Sequence, residues 1–321
     1  MQTKHAKLFA YQIPFRCPLN FNGQRLTVRN GLILQLQNNQ GHSSFGEIAP
    51  LPGFSVETLQ QAQEQILALL NSGIGNRPLS DNLYPSVRFA VESALRYAPF
   101  AKQLGNEHVI PLLQGDNQSV IKHYQALAMP TIIKLKVGRQ RVQQDIALFN
   151  QLTSLNSLLI IRCDANQAWH SKQASHFFAN INTQQLDYIE EPTASFTDNL
   201  LLAKQYQIGL ALDETLHSSS FHYQHHPQIK ALILKPSLIG SLTRLEHYIN
   251  IAQQQTLAVS ISSSFESIVG LLQLNVLADS YKGRCAISLG LDTVKYFQSG
   301  LLTDPRHIEQ DLQTLECLWN K

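Results

Sequence analysis

The chain has little charge of either sign. Among 321 residues, 25 basic and 23 acidic side chains leave a net charge of only +2. A basic patch able to hold a phosphate backbone or an anionic membrane is absent, which argues against nucleic acid and membrane partners. Long apolar runs are also missing: Ile268 to Ala278 is interrupted by Gln273 and Asn275 and falls short of the ~18 residues needed to span a bilayer. Met1 to Phe21 scatters Lys4, Lys7 and Arg16 among its apolar residues, without the continuous core of a secretory signal, so a cytoplasmic location is expected. The four cysteines, Cys17, Cys163, Cys285 and Cys317, form no Cys-x-x-Cys pair. That excludes a zinc knuckle or dithiol redox motif and leaves buried, reduced thiols as the expectation. Finally, no G-x-G-x-x-G or Walker-type loop occurs, which counts against an open, doubly wound nucleotide-binding sheet.

What is present suits a packed enzyme. A hydrophobic fraction of 44% is ordinary for a globular protein. The length suits a barrel of typically ~250 residues plus a smaller unit. Gly31 to Gln37 (GLILQLQ) alternates apolar and polar, NNQGH supplies a turn, and Ser44 to Ala49 extends again, predicting an antiparallel hairpin. Leu59, Ala62, Ile66, Leu69 and Leu70 then share one helical face, and a second helix is expected over Ser86 to Tyr97, behind Pro85. Residues 1–100 are therefore read as an α+β capping domain, residues 105–300 as a catalytic barrel, and the tail 301–321 as packing back on the cap.

From Val109 onward the rhythm changes to short apolar runs separated by helix-length segments: Ile132 to Val137, Leu158 to Cys163, Tyr188 to Ile189, Gly209 to Leu212, Ala231 to Leu234, Ala258 to Ile261 and Ala286 to Leu289. The polar residues that close six of these runs stand at 136, 164, 190, 213, 235 and 262, with gaps of 28, 26, 23, 22 and 27. Each gap is about what one strand, one helix and two loops consume, so the fold class is α/β, a (β/α)8-type barrel. Catalytic groups in such a barrel gather at the C-terminal ends of the strands, where these residues sit.

Alternation along a strand puts Lys134 and Lys136 on one side, and Arg162 and Asp164 likewise, with Cys163 turned away. Asp164 in RCDAN, Glu190 in YIEEP and Asp213 in ALDE end consecutive runs. Such hard oxygen donors suit Mg²⁺, whereas zinc would want His or Cys and calcium more ligands. Lys235, in ILKP, is placed across the mouth from Lys136. A metal flanked by two lysines suits removal of a proton next to a carboxylate, because the resulting dianionic enediolate needs concentrated positive charge. A lysine buried beside such charge has a lowered pKa and is able to act as the base. His222, His225 and His226 cluster in a polar stretch away from the strand ends and are read as a solvated segment.

KLKVG, RCDANQAW, YIEEP, LDE, ILKP and SISSSFES, in this order, resemble the muconate-lactonising subgroup of the enolase superfamily. Within that subgroup the short length, GEIAPLPGFS at Gly46 to Ser55 and GLDT at Gly290 to Thr293 look like o-succinylbenzoate synthases. The resemblance implies Mg²⁺ held by Asp164, Glu190 and Asp213, with Mn²⁺ able to substitute. It further implies Lys136 as the base that also assists departure of the hydroxyl, Lys235 opposite it, and Lys134 tuning Lys136. Ser262, Ser263 and the backbone at Gly290 would contact the succinyl arm of a small dicarboxylate substrate, and Arg162 is counted with the substrate-binding residues. The expected assembly is a monomer or small homo-oligomer. Two alternatives stay open: a dipeptide epimerase or N-succinylamino acid racemase of the same superfamily, and a non-catalytic barrel. An epimerase would want an Asp-x-Asp near the eighth strand, where SLGLDT offers Asp292 alone; a non-catalytic barrel would have lost strand-end charges, and Lys136, Asp164, Glu190, Asp213 and Lys235 are all present.

Overall fold

A computed structural model describes residues 3–21, 23–74, 79–96 and 110–321. The chain divides into two compact units: Met1–Glu107 with Leu234–Asn250 and Ile261–Lys321, and His108–Ile233 with Ile251–Ser260.

In the first unit, β1 (Thr3–Phe21), β2 (Gln24–Asn38) and β3 (Ser43–Ile48) run antiparallel, followed by α1 (Leu59–Ser72) and α2 (Pro85–Arg96). The hairpin β2–β3 lies where the sequence predicts it. The predicted alternation of GLILQLQ does not hold, because Leu32, Ile33 and Leu34 are all buried. The reason is that both faces of the sheet are covered. Leu8, Leu32, Leu34 and Leu36 pack with Ala62, Ile66 and Leu70 of α1 and with Val87, Ala90, Val91 and Ala94 of α2. Phe9, Tyr11, Ile13, Ile33 and Phe45 pack on the opposite face with Ile268, Val269 and Leu272. The approach of α2 to β3 demands glycine at 46, since a Cβ there would lie 2.2 Å from the Ala90 carbonyl oxygen.

The second pattern begins with β4 (Leu112–Leu113), α3 (Asn117–Ala126), β5 (Ile132–Lys136), α4 (Val142–Leu155), β6 (Ile160–Asp164), α5 (Ser171–Phe178), β7 (Leu186–Glu190), α6 (Phe196–Tyr206) and β8 (Leu210–Leu212). It continues with β9 (Ile229–Leu234), α7 (Pro236–Ile239), α8 (Leu242–Gln255), β10 (Ala258–Ser262), α9 (Ile268–Ser280) and β11 (Ile287–Gly290). Strands β4 to β11 follow one another in sequence order in one eight-stranded sheet, and the pairs from β4 to β9 are parallel. The expected (β/α)8-type architecture is thus present. Ile133, Leu135, Ile161 and Cys163 point outward into a core with Phe149, Leu152, Phe177 and Phe178, which leaves the alternate residues of β5 and β6 facing inward. After α10 (Ile308–Thr314), β12 (Glu316–Asn320) pairs antiparallel with β1 at the edge of the four-stranded sheet. Among the described residues no helix is long and apolar enough to cross a membrane.

The expectation of buried thiols holds for Cys163, whose thiol burial pushes well up, but Cys17 and Cys317 are exposed. Cys317 lies on the edge strand β12, and Cys17 on β1 in the irregular stretch between Pro14 and Leu19.

Arg29 is the largest fully buried side chain among the described residues and was not singled out by the sequence. Its guanidinium donates to the carbonyl oxygens of Phe265 at 2.9 Å, Pro50 at 2.7 Å and Ser264 at 3.2 Å, and to that of Ala49. Nearby, the Glu47 carboxylate accepts from Tyr11 Oη at 2.5 Å, Ser267 N at 2.8 Å, Ser267 Oγ at 2.6 Å and Gly270 N at 2.7 Å, capping the start of α9. Replacing Arg29 by Met would leave these buried carbonyls without donors, a cost on the order of 3 kcal/mol. Urea unfolding should show that loss, and an unchanged midpoint would mean the carbonyls are satisfied without Arg29.

Candidate active site

The parallel register of β5, β6 and β7 sets the site. Lys136 is level with Asp164, and Asp164 with Glu190, each the last residue of its strand. Asp213 follows β8 directly. The three carboxylates each offer an oxygen such that all three lie within 4.8 Å of one another, and they are 2%, 1% and 0% exposed. Water therefore cannot screen their mutual repulsion.

Two ammonium groups answer that charge. Lys134 Nζ lies 2.8 Å from Asp164 Oδ2 and 2.6 Å from Glu190 Oε2. Lys136 Nζ lies 2.5 Å from Asp164 Oδ2 and donates to Asn166 Oδ1 at 2.7 Å. Burial alone would pull Lys134 down, but Asp164 and Glu190 hold its ammonium well above the ordinary lysine range. Lys136 goes the other way: burial, with the charge of Lys134 beside it, outweighs Asp164 and lowers its pKa. Burial and the neighbouring Asp164 raise the carboxyl of Glu190 well above its usual range. The two neighbouring lysines are thus shifted in opposite directions. A cluster of three carboxylates of this kind has the donor chemistry for a divalent cation.

Arg162 stands one pleat below the carboxylates, level with Lys134 and Tyr188. Its guanidinium is engaged by Asp187 at 2.8 Å and lies over the Tyr188 ring, 5.0 Å from the centroid, so the structure does not bring it to the carboxylates. Lys235, Ser262, Ser263 and Gly290 belong to the first unit. There Lys235 directly follows β9 and its Nζ is 6.0 Å from the Phe54 ring centroid. Ser263 N donates to Gly290 O at 3.0 Å, Ser263 Oγ is 2.9 Å from Thr293 Oγ1, and a Cβ at Gly290 would lie 2.6 Å from Ser262 Oγ. These three expected substrate contacts are therefore together. The histidines disperse as expected: His222 Nδ1 meets Ser220 O, His225 Nδ1 meets Gln255 Oε1, and His226 lies against Phe196.

Four residues near the carboxylates were not anticipated. Asn166 receives Lys136 and donates through Nδ2 to Glu214 Oε1 at 3.2 Å, His217 Nε2 is 3.4 Å from Asp213 Oδ1, and Glu191 accepts from the backbone of the Asp213 turn. RCDAN carries a faint sign of the first, because asparagine tolerates the positive φ of 45° that Asn166 adopts in the turn that leaves β6.

Comparison with known proteins identifies the architecture. Residues 3–98 match the family described as MenC, N-terminal domain, and residues 120–311 match Enolase C-terminal domain-like. The o-succinylbenzoate synthase of Aliivibrio fischeri (strain ATCC 700601 / ES114) is 34% identical, covering 98% of this chain and 99% of its own; that of Yersinia enterocolitica is also 34% identical, covering 92% and 91%. The chain belongs to the o-succinylbenzoate synthase family of the enolase superfamily. That makes it an enzyme, a carbon–oxygen lyase. An o-succinylbenzoate synthase from Thermosynechococcus elongatus BP-1, solved with Mg in its active site, superposes with a TM-score of 0.74 at 22% identity, covering 95% of this chain and 98% of that one. A dipeptide epimerase from Cytophaga hutchinsonii gives 0.73 at 18% identity, covering 94% and 89%. Likeness at that level speaks for the fold alone, and it is the sequence relatives that distinguish the synthases from the epimerases.

Lys134→Met removes the cation shared by Asp164 and Glu190. In metal-free buffer the variant should melt several degrees below the parent, and Mg²⁺ should raise its melting temperature more than it raises the parent's. Equal melting of the two proteins without metal would show that Lys134 does not balance the carboxylates.

Proposed function

We propose that the protein dehydrates 2-succinyl-6-hydroxy-2,4-cyclohexadiene-1-carboxylate to 2-succinylbenzoate by a syn elimination, in menaquinone biosynthesis in the cytoplasm, as a monomer or small homo-oligomer. The observation that carries this reading is the convergence of Lys134 and Lys136 on three buried carboxylates at the ends of consecutive parallel strands. The domain reading goes with it: 1–100 as cap with the tail 301–321, and 105–300 as barrel, a division supported by the separate family matches over 3–98 and 120–311.

Asp164, Glu190 and Asp213 would hold Mg²⁺, with Mn²⁺ able to substitute. When bound, the cation supplies positive charge where the substrate carboxylate becomes a dianionic enediolate. Lys136, whose pKa burial and the adjacent Lys134 lower, takes the proton from the ring carbon that bears the carboxylate. Lys134 stays protonated and orients it through the shared Asp164. Collapse of the enediolate expels the neighbouring hydroxyl, to which Lys136 returns its proton, so that water leaves and the ring becomes aromatic. Lys235 contributes charge to the enediolate from the other face. Ser262, Ser263 and the backbone at Gly290 take the succinyl arm. Arg162, held by Asp187 and Tyr188, serves this site as a prop beneath the carboxylate layer rather than by touching substrate.

An epimerase needs a proton carrier on each face and an acidic pair for its substrate's ammonium. Asp292 is partly exposed and engaged by Lys295, which does not favour that reading.

Incubation with Mg²⁺ and the cyclohexadiene carboxylate should produce the ultraviolet change of aromatisation. A chelator should abolish it, and Mg²⁺ or Mn²⁺ should restore it; full turnover in metal-free buffer would sink the metal reading.

The two lysines should fail differently. Lys136→Ala should lose single-turnover dehydration by about 10²–10⁴-fold, because it removes the group assigned to carry the proton in both directions. Lys235→Arg should retain part of the rate, since charge is what that position supplies, although the planar guanidinium fits a site for an ammonium poorly. Near-native turnover by Lys136→Ala, with circular dichroism confirming folding of both variants, would overturn the assignment of the base.

A further inference from the structure

Glu191 is buried next to a carboxylate of the site, yet it has no part in the chemistry above. Its Oε1 accepts from the backbone N–H of Asp213 at 2.9 Å and of Thr215 at 2.8 Å, so it closes the turn that presents Asp213. Its Oε2 accepts from Gln167 Nε2, in the turn that follows Asp164. The backbone repeats the link: Gln167 N donates to Glu191 O at 2.9 Å, and Glu191 N donates to Ala211 O, within β8, at 3.3 Å. One residue thereby touches all three turns that carry the carboxylates. Two of those turns hold non-glycine residues at positive φ, 45° and 59° at Asn166 and Gln167 and 26° at Glu191, conformations that persist only where surrounding contacts enforce them.

We infer that Glu191 is a positioning residue that holds Asp164, Glu190 and Asp213 in the spacing a divalent cation requires, without itself being a ligand. This rests on the reading of those three carboxylates as the metal ligands. Both Glu191 oxygens already accept hydrogen bonds from the turns it braces, an occupation suited to a brace. What the position needs is an acceptor for two backbone N–H groups and a partner for Gln167. Glutamine meets both needs, since its carbonyl oxygen accepts from the N–H pair and the Gln167 amide is free to turn and receive its NH₂ group. Methionine meets neither.

The test is titration of metal-free protein with Mn²⁺ alone, followed by loss of the free-ion electron paramagnetic resonance signal, with circular dichroism and thermal melts on every variant. Glu191→Met should bind Mn²⁺ about 10–100-fold more weakly than the parent, the range found when partners behind metal ligands are removed. Glu191→Gln should stay within a few-fold of the parent, and Gln167→Leu, which cuts only the tie between two turns, should weaken binding several-fold. Asp213→Asn serves as the reference for loss of a ligand. A Glu191→Gln protein as impaired as Asp213→Asn would overturn the inference, because the charge and not the bracing would then matter. Unchanged affinity in folded Glu191→Met overturns it equally; should that variant not fold, unchanged affinity in Gln167→Leu does so. A parent that fails to bind Mn²⁺ removes the ligand reading itself, an outcome distinct from a parent that binds and a Glu191→Met that binds as well.

Discussion

Repulsion among three carboxylates that water cannot reach is the constraint on which the candidate site depends. Oxygens of Asp164, Glu190 and Asp213 come within 4.8 Å of one another in a region almost closed to solvent. Such a cluster needs counter-charge and favours the protonated form of its members. Lys134 bridges two of the carboxylates and remains a cation, while burial and Asp164 push the Glu190 carboxyl upward. Burial lowers the pKa of Lys136, and a second ammonium held beside the first lowers it further. The pKa of Lys136 is thus set by the same charges that hold the site together.

Register turns this electrostatic arrangement into geometry. Parallel pairing of β5 with β6 and β6 with β7 sets Lys136, Asp164 and Glu190 at one height, and the layer of Lys134, Arg162 and Tyr188 one pleat below. A slip of one residue would turn Lys136 and Asp164 into the apolar core that Cys163 and Leu135 now occupy. The cost of burying those charges unpaired makes the charged layer itself a guardian of the register.

How much of this was legible in the sequence depended on whether a signal was local. Strands ending at Lys136, Asp164 and Glu190 were readable because each is a short apolar run closed by a charge, and near-constant gaps supplied the barrel. The inward direction of Lys134 and Lys136 followed from alternation. The 19-residue β1 was not delineated, because its pairing with β2 and β12 is long-range and its own residues mix charge with apolar groups. The alternation read in GLILQLQ misled for a related reason: a sheet covered on both faces buries Ile33 along with Leu32 and Leu34. Arg162 shares the inward side with Asp164, as expected, but side-chain reach decides its contacts, and Asp187 and Tyr188 claim it. Glu191 was overshadowed by Glu190, since nothing in EEP says which carboxylate faces inward and which turns back to its neighbours' backbone.

Charge is buried here by two different means. Arg29 is surrounded by carbonyl oxygens of four residues, fixed dipoles that cannot titrate, and Glu47 nearby is met by two backbone N–H groups and two hydroxyls. Neutral partners hold a charge in one state, which suits a joint between a loop and a helix. Lys134 and Lys136 are instead buried against groups that titrate, so a proton moved at one shifts the balance at the others. That is a liability for a structural joint and a requirement for an acid–base centre. Arg29, met by fixed dipoles, and Lys136, met by a titrating carboxylate, are thus buried in opposite ways, although Arg29 is the more deeply buried of the two.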